Sequence, residues 1–533
     1  MGGRIADVLP LSPAQEGLLF HALRDPDRPD PYLVQARFRI APGVKAQAVR
    51  AAVTALLERH PNLRACFRHE QVDRPVQVIP RAVKVPWTEA DCTGRGQDET
   101  ETELARLMAE DRARRFDLAR PPLVRATLVR HDMGAELLLT FHHILLDGWS
   151  LPLLAQDLEA LTTGTAELPP AVPFKQYLVW LNGQDQARAE AAWREALGGL
   201  TRPALLAPGE QDGPDGPGGA EDTVDVELTP ELTAAVTRRA ADAGVTVNTV
   251  AQTAWALVLA RLTGAEDLVF GAVVSGRPHD LPGVERMVGL FINTLPVRIR
   301  LRRGEGVDEL LARVQSEQLR LAPYHHVRLS EVQRAAGAGE LFDTVLAFEN
   351  FPRTAGPTTA VELVETRDAT HYPVTVAVVA GERMLLRISC RRGISAATVG
   401  TRLARAFEAL TSAHGTPADR LDVLPQEERR QLLALAEGPV RPVAETLTIP
   451  GRFAGQVART PDAPAVETDG EVLTYGGLDA ASDRMTARLR EAGVRPGDTV
   501  ALPLVRSVSL VVAQLAVLKA GACCLPLDPA APA

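Results

Sequence analysis

Cysteine is scarce: Cys66, Cys92, Cys390, Cys523 and Cys524 are the only five in 533 residues. They are odd in number, thinly spread, and without a CxxC or a His at zinc-finger spacing, which argues against a disulfide framework and a structural zinc site. A reduced, intracellular chain is the expectation. Basic runs are lacking too: 58 Lys and Arg stand against 67 Asp and Glu, a net charge of -9, so nucleic acid is not an expected partner. No uncharged apolar run nears the roughly 18 residues of a membrane span. The N-terminus MGGRIADVLPLSPAQ has no basic region followed by an apolar stretch, and Ala6 stands where a myristoylation signal takes Ser or Thr. Neither membrane nor export is indicated, and the cytoplasm is the expected compartment. What is plentiful is apolar surface, 46% of residues. At about 150 residues per domain the length gives roughly three and a half domains.

Residues 1–200 alternate helical and strand patterns. Ala48 to Arg59 (AVRAAVTALLER) repeats apolar positions at three- and four-residue spacing, and Leu137 to Phe141 (LLLTF) is a short apolar run of strand type. An α/β layering follows. Thr201 to Asp222, rich in Pro, Gly and Asp, reads as a bridge to a second lobe over residues 223–412. That lobe begins with the strand-like TVDVELT, then the helical Val247 to Leu262 and the apolar run Leu268 to Val274. The element order echoes the first lobe without a residue-level repeat, which suggests a pseudo-duplicated core. Residues 413–450 read as an ordered interdomain linker with a short charged helix, Gln426 to Ala436, and a new α/β unit starts at Gly451.

Phe141 to Ser150 (FHHILLDGWS) carries the chemistry. It follows an apolar strand and sets two adjacent imidazoles four residues and more ahead of Asp147 and a turn glycine, Gly148. A neutral imidazole held at a strand end takes or guides a proton at neutral pH. Acyl transfer to an amine needs that service, because the amine sheds a proton and the oxyanion needs donors such as the backbone N–H groups of Gly148 and Trp149. Adjacent residues on a strand face opposite ways, so only one of His142 and His143 lines a given pocket. From the local pattern alone, structural roles, a metal site and catalysis stay open. Metal is disfavoured because no neighbouring His, Asp, Glu or Cys cluster completes a ligand set.

HHILLDGWS resembles the signature of nonribosomal peptide synthetase condensation domains, which are related in fold to chloramphenicol acetyltransferase. Other segments resemble the family's motifs in the family's order. They are Leu11 to Leu23 (LSPAQEGLLFHAL, with a Glu16-Gly17 variant), Arg59 to Phe67 (RHPNLRACF), and more loosely Val172 to Leu181 (VPFKQYLVWL). Val288 to Arg298 (VGLFINTLPVR), Tyr324 to Val332 (YHHVRLSEV) and Phe342 to Pro352 (FDTVLAFENFP) follow. The resemblance covers residues 8–412 and implies two chloramphenicol-acetyltransferase-like lobes in a V-shaped pseudo-dimer. It implies an acyltransferase that moves a carrier-bound acyl or peptidyl thioester onto the amine of a carrier-bound aminoacyl group. Upstream donor and downstream acceptor carrier proteins are the implied partners, and their phosphopantetheine arms the only prosthetic groups, with no metal or cofactor bound directly.

Carried over by position, His143 is the catalytic histidine, as general base or as positioner of the nucleophile, and Gly148 lets the backbone approach the reacting groups. His142 is the structural partner. Asp147 pairs with Arg64 to hold the loop. Trp149, Ser150, Asn293 and Thr294 are candidate substrate-channel residues. His325 and Arg328 depart from the Glu and Pro expected in the sixth segment, which bears on loop or carrier contacts. Leu145-Leu146, the AQEG variant and FENFP resemble domains that follow an epimerising module, taking a D-donor and an L-acceptor. Leu473 to Leu478 (LTYGGL) and Leu518 to Pro529 (LKAGACCLPLDP) resemble the first two motifs of an adenylation domain, so residues 451–533 read as a truncated adenylation segment that does not activate ATP by itself. The competing readings are an epimerase-type relative and a non-catalytic module that docks a tailoring enzyme; a damaged HHxxxDG would favour the latter, and here it is complete.

Overall fold

The structure, a computed structural model, describes residues 5–24, 29–164, 168–207, 222–337, 339–350, 360–391, 393–413, 415–438, 448–468 and 470–530. Most of the expected bridge, residues 208–221, lies outside this set, as do Phe351 and Pro352 of the last motif and residues 439–447 of the linker. By contact the chain divides into two compact units, Met1–Arg430 and Gln431–Ala533.

In chain order the first half runs β1 (Ile5–Pro10), α1 (Pro13–Arg24), β2 (Leu33–Ile40), α2 (Ala46–Arg59), β3 (Cys66–Arg68), β4 (Val76–Pro80) and β5 (Trp87–Asp91). It continues with α3 (Gln97–Arg112), β6 (Val124–His131), β7 (Gly134–His142), α4 (Ser150–Thr163), α5 (Lys175–Asn182) and α6 (Gln186–Leu197). The second half holds β8 (Asp222–Glu227), α7 (Pro230–Asp242), α8 (Val247–Thr263), β9 (Asp267–Val274), β10 (Asn293–Arg300), α9 (Val307–Leu321) and α10 (Leu329–Ala336). Then come β11 (Thr344–Glu349), β12 (Val361–Arg367), β13 (Val374–Val379), β14 (Leu385–Cys390), α11 (Ala396–Ser412) and α12 (Gln426–Ala436).

The periodicities hold. In α2 the apolar stripe Val49, Ala52, Val53, Leu56 and Leu57 is buried against the first sheet. Helix α8 is buried on nearly every side, as its almost uninterrupted apolar sequence requires. Among the described residues no single helix is long and apolar enough to cross a membrane; the bent pair α7 and α8 passes such a test only together.

One mixed sheet has the order β12-β2-β7-β6-β5 and a second β10-β9-β11-β13-β14-β8. The two sheets mark two lobes, but the lobes exchange elements. Strand β12, from the second half, pairs antiparallel with β2 in the first sheet. Met287, Val288 and Phe291 bury in the first core. In return α6 places Ala189, Trp193 and Leu197 in a cluster with Val269, Leu295 and Val345 of the second lobe. Residues 201–222 therefore do not cut the chain into independent lobes. Within the expected linker Ala418, Leu421 and Val423 fill the second core, and Glu428 accepts from Arg402 Nε at 3.0 Å.

The register of one strand pair fixes the candidate site. Leu33 of β2 lies opposite His142 of β7, so Tyr32, just before β2, meets His143, just after β7, and its carbonyl takes the His143 N–H at 2.8 Å. Strand β7 is buried from Ala135 to His142, which makes it a rigid arm for the two imidazoles.

The second unit, by itself, holds α13 (Ile449–Arg459), a hairpin of β15 (Pro464–Thr468) and β16 (Glu471–Thr474), and α14 (Tyr475–Glu491). A parallel pair, β17 (Thr499–Leu502) and β18 (Cys523–Pro526), is joined through α15 (Val508–Lys519). Lys519, in the second of the expected adenylation motifs, bridges Asp479 and Asp483 of α14 at 2.6 and 2.7 Å.

Candidate functional site

The polypeptide after β7 is suspended by hydrogen bonds from parts of the chain far away in sequence. Ser12 and Gln15 form a reciprocal capping arrangement at the start of α1, Ser12 N donating to Gln15 Oε1 at 3.0 Å and Gln15 N to Ser12 Oγ at 3.3 Å. That fixes the Gln15 amide, whose Nε2 donates to Ile144 O at 3.1 Å. Asn62, from the second motif, donates to Leu145 O at 3.2 Å. The opening and second motifs thus hold the two carbonyls that follow His143.

His142 is fully buried and saturated. Its Nδ1 accepts from Ile144 N at 3.1 Å and its Nε2 lies 3.1 Å from Asp30 Oδ2, which assigns the proton to Nε2. Burial works against the Asp30 charge, but His142, the Tyr32 N–H and Arg115 outweigh it and hold the carboxyl below its usual range. Nothing local pointed to Asp30, because its partner lies 112 positions away.

Asp147 is 1% exposed and shares its oxygens among four donors. Oδ1 accepts from Ser150 N at 3.1 Å and Ser150 Oγ at 2.8 Å; Oδ2 accepts from Phe291 N at 3.0 Å. The cation is Arg277, whose Nη2 lies 3.1 Å from Oδ1. The Asp147–Arg64 pair expected from the resemblance is not formed. Arg64 donates to three carbonyls instead, Leu57 and Glu58 at the end of α2 and Pro80, at 2.5, 3.1 and 3.0 Å. Arg277 Nη1 also donates to Val284 O and Met287 O at 2.6 and 2.9 Å, and its guanidinium lies 3.9 Å from the Phe291 ring centre. Gly276 permits this approach: its φ is +59°, and a Cβ there would stand 1.8 Å from Phe291 O.

The other expected residues fall around this suspension. Ser150 Oγ, whose one proton goes to Asp147 Oδ1, accepts from Gly289 N at 3.1 Å, so its hydroxyl ties the loop to the segment before β10. Trp149 Nε1 donates to Glu285 O at 3.0 Å. Gly148 is the half-buried turn residue before α4, its carbonyl accepting from Leu151 N at 3.2 Å. Asn293 is buried and pins His325 O and Val327 O at 3.0 and 2.7 Å, while Thr294 N donates to Asn293 Oδ1 at 3.0 Å. His143 differs from all of these. Its imidazole is half-buried, and its Nδ1 is buried with no hydrogen-bond partner among the described residues.

Behind the site, Tyr32 Oη lies 2.5 Å from His371 Nδ1, and the rings of His371 and His21 stack at 3.9 Å. Burial drives His371 well below the ordinary imidazole value and, aided by Arg24, takes His21 down to about 4. Among the described residues no group of three or more His, Cys, Asp or Glu side chains is arranged to hold a metal ion.

A family model described as Condensation domain matches residues 5–433, and one described as AMP-binding enzyme matches residues 453–533. A linear gramicidin synthase of Brevibacillus parabrevis is 36% identical over 548 residues, covering 99% of this chain and 7% of that protein. Surfactin synthase subunit 3 of Bacillus subtilis (strain 168) is 31% identical over 546 residues, covering 99% of this chain and 42% of that protein. The chain thus spans less than half the length of these curated relatives. Of solved structures, the nonribosomal peptide synthetase FmoA3 in its AMPPNP-bound form aligns over 100% of this chain and 56% of its own, with TM-score 0.73 and 22% identity. The first condensation domain of the calcium-dependent antibiotic synthetase, in complex with a substrate analogue, aligns over 79% of this chain and 100% of its own, with TM-score 0.65 and 20% identity. These two likenesses speak for the fold.

Two outcomes follow from the geometry. Arg277→Met strands a buried carboxylate and costs about 3–5 kcal/mol. In double-mutant cycles read by urea unfolding, Asp147 couples to Arg277 by about 1–3 kcal/mol and to Arg64 negligibly; strong coupling to Arg64 would contradict the pairing. Stability also depends on acid. His21 and His371 titrate lower in the fold than in the unfolded chain, where an imidazole sits near 6.5. The unfolded chain therefore binds more protons below that point, so their contribution is full above about pH 6.5 and declines as pH falls through about 4. Urea midpoints across this range show the decline, shallower in His21→Gln; identical slopes in the two proteins would rule it out.

Proposed function

Because the chain belongs to the condensation-domain family of nonribosomal peptide synthetases and continues into the start of an AMP-binding domain, we propose that His143 serves the amide-forming step typical of that family. Condensation domains form amide bonds by acyl transfer. The observation that carries the assignment is the contrast within one loop: His142, Asp147 and Ser150 are saturated, and the His143 Nδ1 alone among these side chains is left without a partner. Unlike those three residues, His143 is only partly buried, so its imidazole can meet a substrate without giving up an existing bond.

In the proposed reaction the amine of a carrier-bound aminoacyl group attacks the carbonyl of a carrier-bound acyl or peptidyl thioester. The C–N bond forms, the C–S bond breaks, the pantetheine sulfur leaves as a thiol, and the amine gives up one proton. His143 holds the amine and receives or guides that proton; backbone N–H groups at the Gly148-Trp149 turn are the proposed donors to the oxyanion. Asp147, His142 and Ser150 act by holding the loop. The partners in this reading are an upstream donor carrier and a downstream acceptor carrier, in the cytoplasm, with the phosphopantetheine arms brought by the carriers and no metal or organic cofactor held by this chain.

In a reconstituted assay with loaded donor and acceptor carriers, His143→Ala lowers amide formation about 10²-fold with an unchanged urea midpoint. Near-native single-turnover rates in that variant would remove His143 from catalysis. Exchange of the donor α-proton without amide product would instead favour an epimerase, and no product from the wild type would favour a docking module.

The donor's handedness is part of the proposal. The AQEG variant, Leu145-Leu146 and FENFP support a D-configured donor terminus and an L-configured acceptor. Shape discrimination of this kind is worth about 1–3 kcal/mol, or 10- to 200-fold. In competition between matched D- and L-terminated donors on one carrier, the D-derived product predominates; an excess of L-derived product would reject the subtype and leave the amide chemistry in place.

A further inference from the structure

Two residues that depart from the family pattern in separate motifs meet across the lobe interface. Glu16 lies in α1 of the first lobe, and Arg328 sits at the head of α10 in the second. Arg328 Nε donates to Glu16 Oε2, and Nη2 to Glu16 Oε1 at 3.1 Å, the parallel two-bond geometry that makes guanidinium–carboxylate pairs strong and directional. The pair is partly enclosed, with side-chain exposures of 40% and 34%.

Each end is anchored. Arg328 Nη1 donates to Glu331 Oε1 at 2.9 Å, and Glu331 in turn accepts from Gln186 of α6. Val327 and Val332, on either side, are buried in the second-lobe cluster. At the other end Glu16 follows Gln15, whose amide holds Ile144 O at 3.1 Å. A short path therefore runs from the second-lobe core through Arg328, Glu16 and Gln15 to the carbonyl next to His143.

We infer that Glu16 and Arg328 form an ionic latch across the lobe interface that holds α1, and through Gln15 the His143 loop, in register with the second lobe. They are positioning residues for the amide-forming step. The inference rests on the proposed role of His143 for its kinetic consequence, and on geometry alone for its structural one. A partly exposed ion pair is weakened by salt, so a latch of this kind makes this register dependent on ionic strength.

The test compares wild type, Glu16→Gln, Arg328→Gln, the double variant and Arg328→Lys by two readouts. The first is hydrogen–deuterium exchange of the peptide spanning residues 141–151, which needs no reaction. Both single variants speed its exchange about fivefold, the double variant adds nothing further, Arg328→Lys stays near wild type, and high salt brings wild type towards the variants. The second is the single-turnover rate at saturating loaded carriers, which falls about fivefold in either single variant and no further in the double. Saturation separates this from carrier docking, which would move the acceptor KM instead. Unchanged exchange in both single variants, effects that add in the double variant, or a change confined to KM would each overturn the latch. If wild type yields no amide, the function proposed for His143 fails and exchange alone decides the latch.

Discussion

A buried carboxylate has to be matched by charge and by hydrogen bonds, or it does not stay charged. Asp147 meets that demand with partners from both lobes: Ser150 on its own loop, and Arg277 and Phe291 N on the segment that leaves β9 and returns as β10. Because Arg277 is itself held by Val284 O and Met287 O, the carboxylate cannot move without dragging that whole segment. Ion pairs of this kind contribute little net stability, since desolvation offsets most of their attraction. What this one contributes is a single permitted placement of the loop against the second lobe, with a large penalty for any other.

The exchange of elements makes that placement a property of the whole first unit. Strand β12 completes the edge of the first sheet beside β2, and β2 is the strand whose register sets Tyr32 against His143. Helix α6 seals the second-lobe cluster next to β10. Each half thus adds residues to a core of the other, and the His143 loop lies where the two meet.

What the sequence disclosed follows from the range of the forces involved. Helix α2, strand β7, helix α8 and strand β9 were legible because amphipathic and apolar periodicities are local. Residues of the motifs were legible as types. Pairings over long sequence distance were not. The partner of Asp147 was expected to be Arg64, yet Arg64 is used up on carbonyls, and nothing in the local pattern of Ser275 to Gly283 said that its arginine would be buried. Asp30, Gln15 and Asn62 were hidden for the same reason: each acts on the loop from beyond a turn or a strand whose registration is set only in three dimensions. Pro- and Gly-rich composition marks a break in periodicity, and says nothing of whether Leu421 or Val423 finds a core.

Saturation explains why a single imidazole is singled out. A loop rich in carbonyls, amides and charged groups is costly to bury unless nearly all of them are paired, at about 1–3 kcal/mol for each group left alone. Here Ile144 O, Leu145 O, the His143 N–H, both nitrogens of His142 and both oxygens of Asp147 are paired. The exceptions in this network are the buried Nδ1 of His143 and Nε of Arg277, which have no partner among the described residues, a cost sustained because the surrounding bonds over-determine the loop. The His143 imidazole is thereby fixed in place by its neighbours, so a group that meets it finds it ordered in advance.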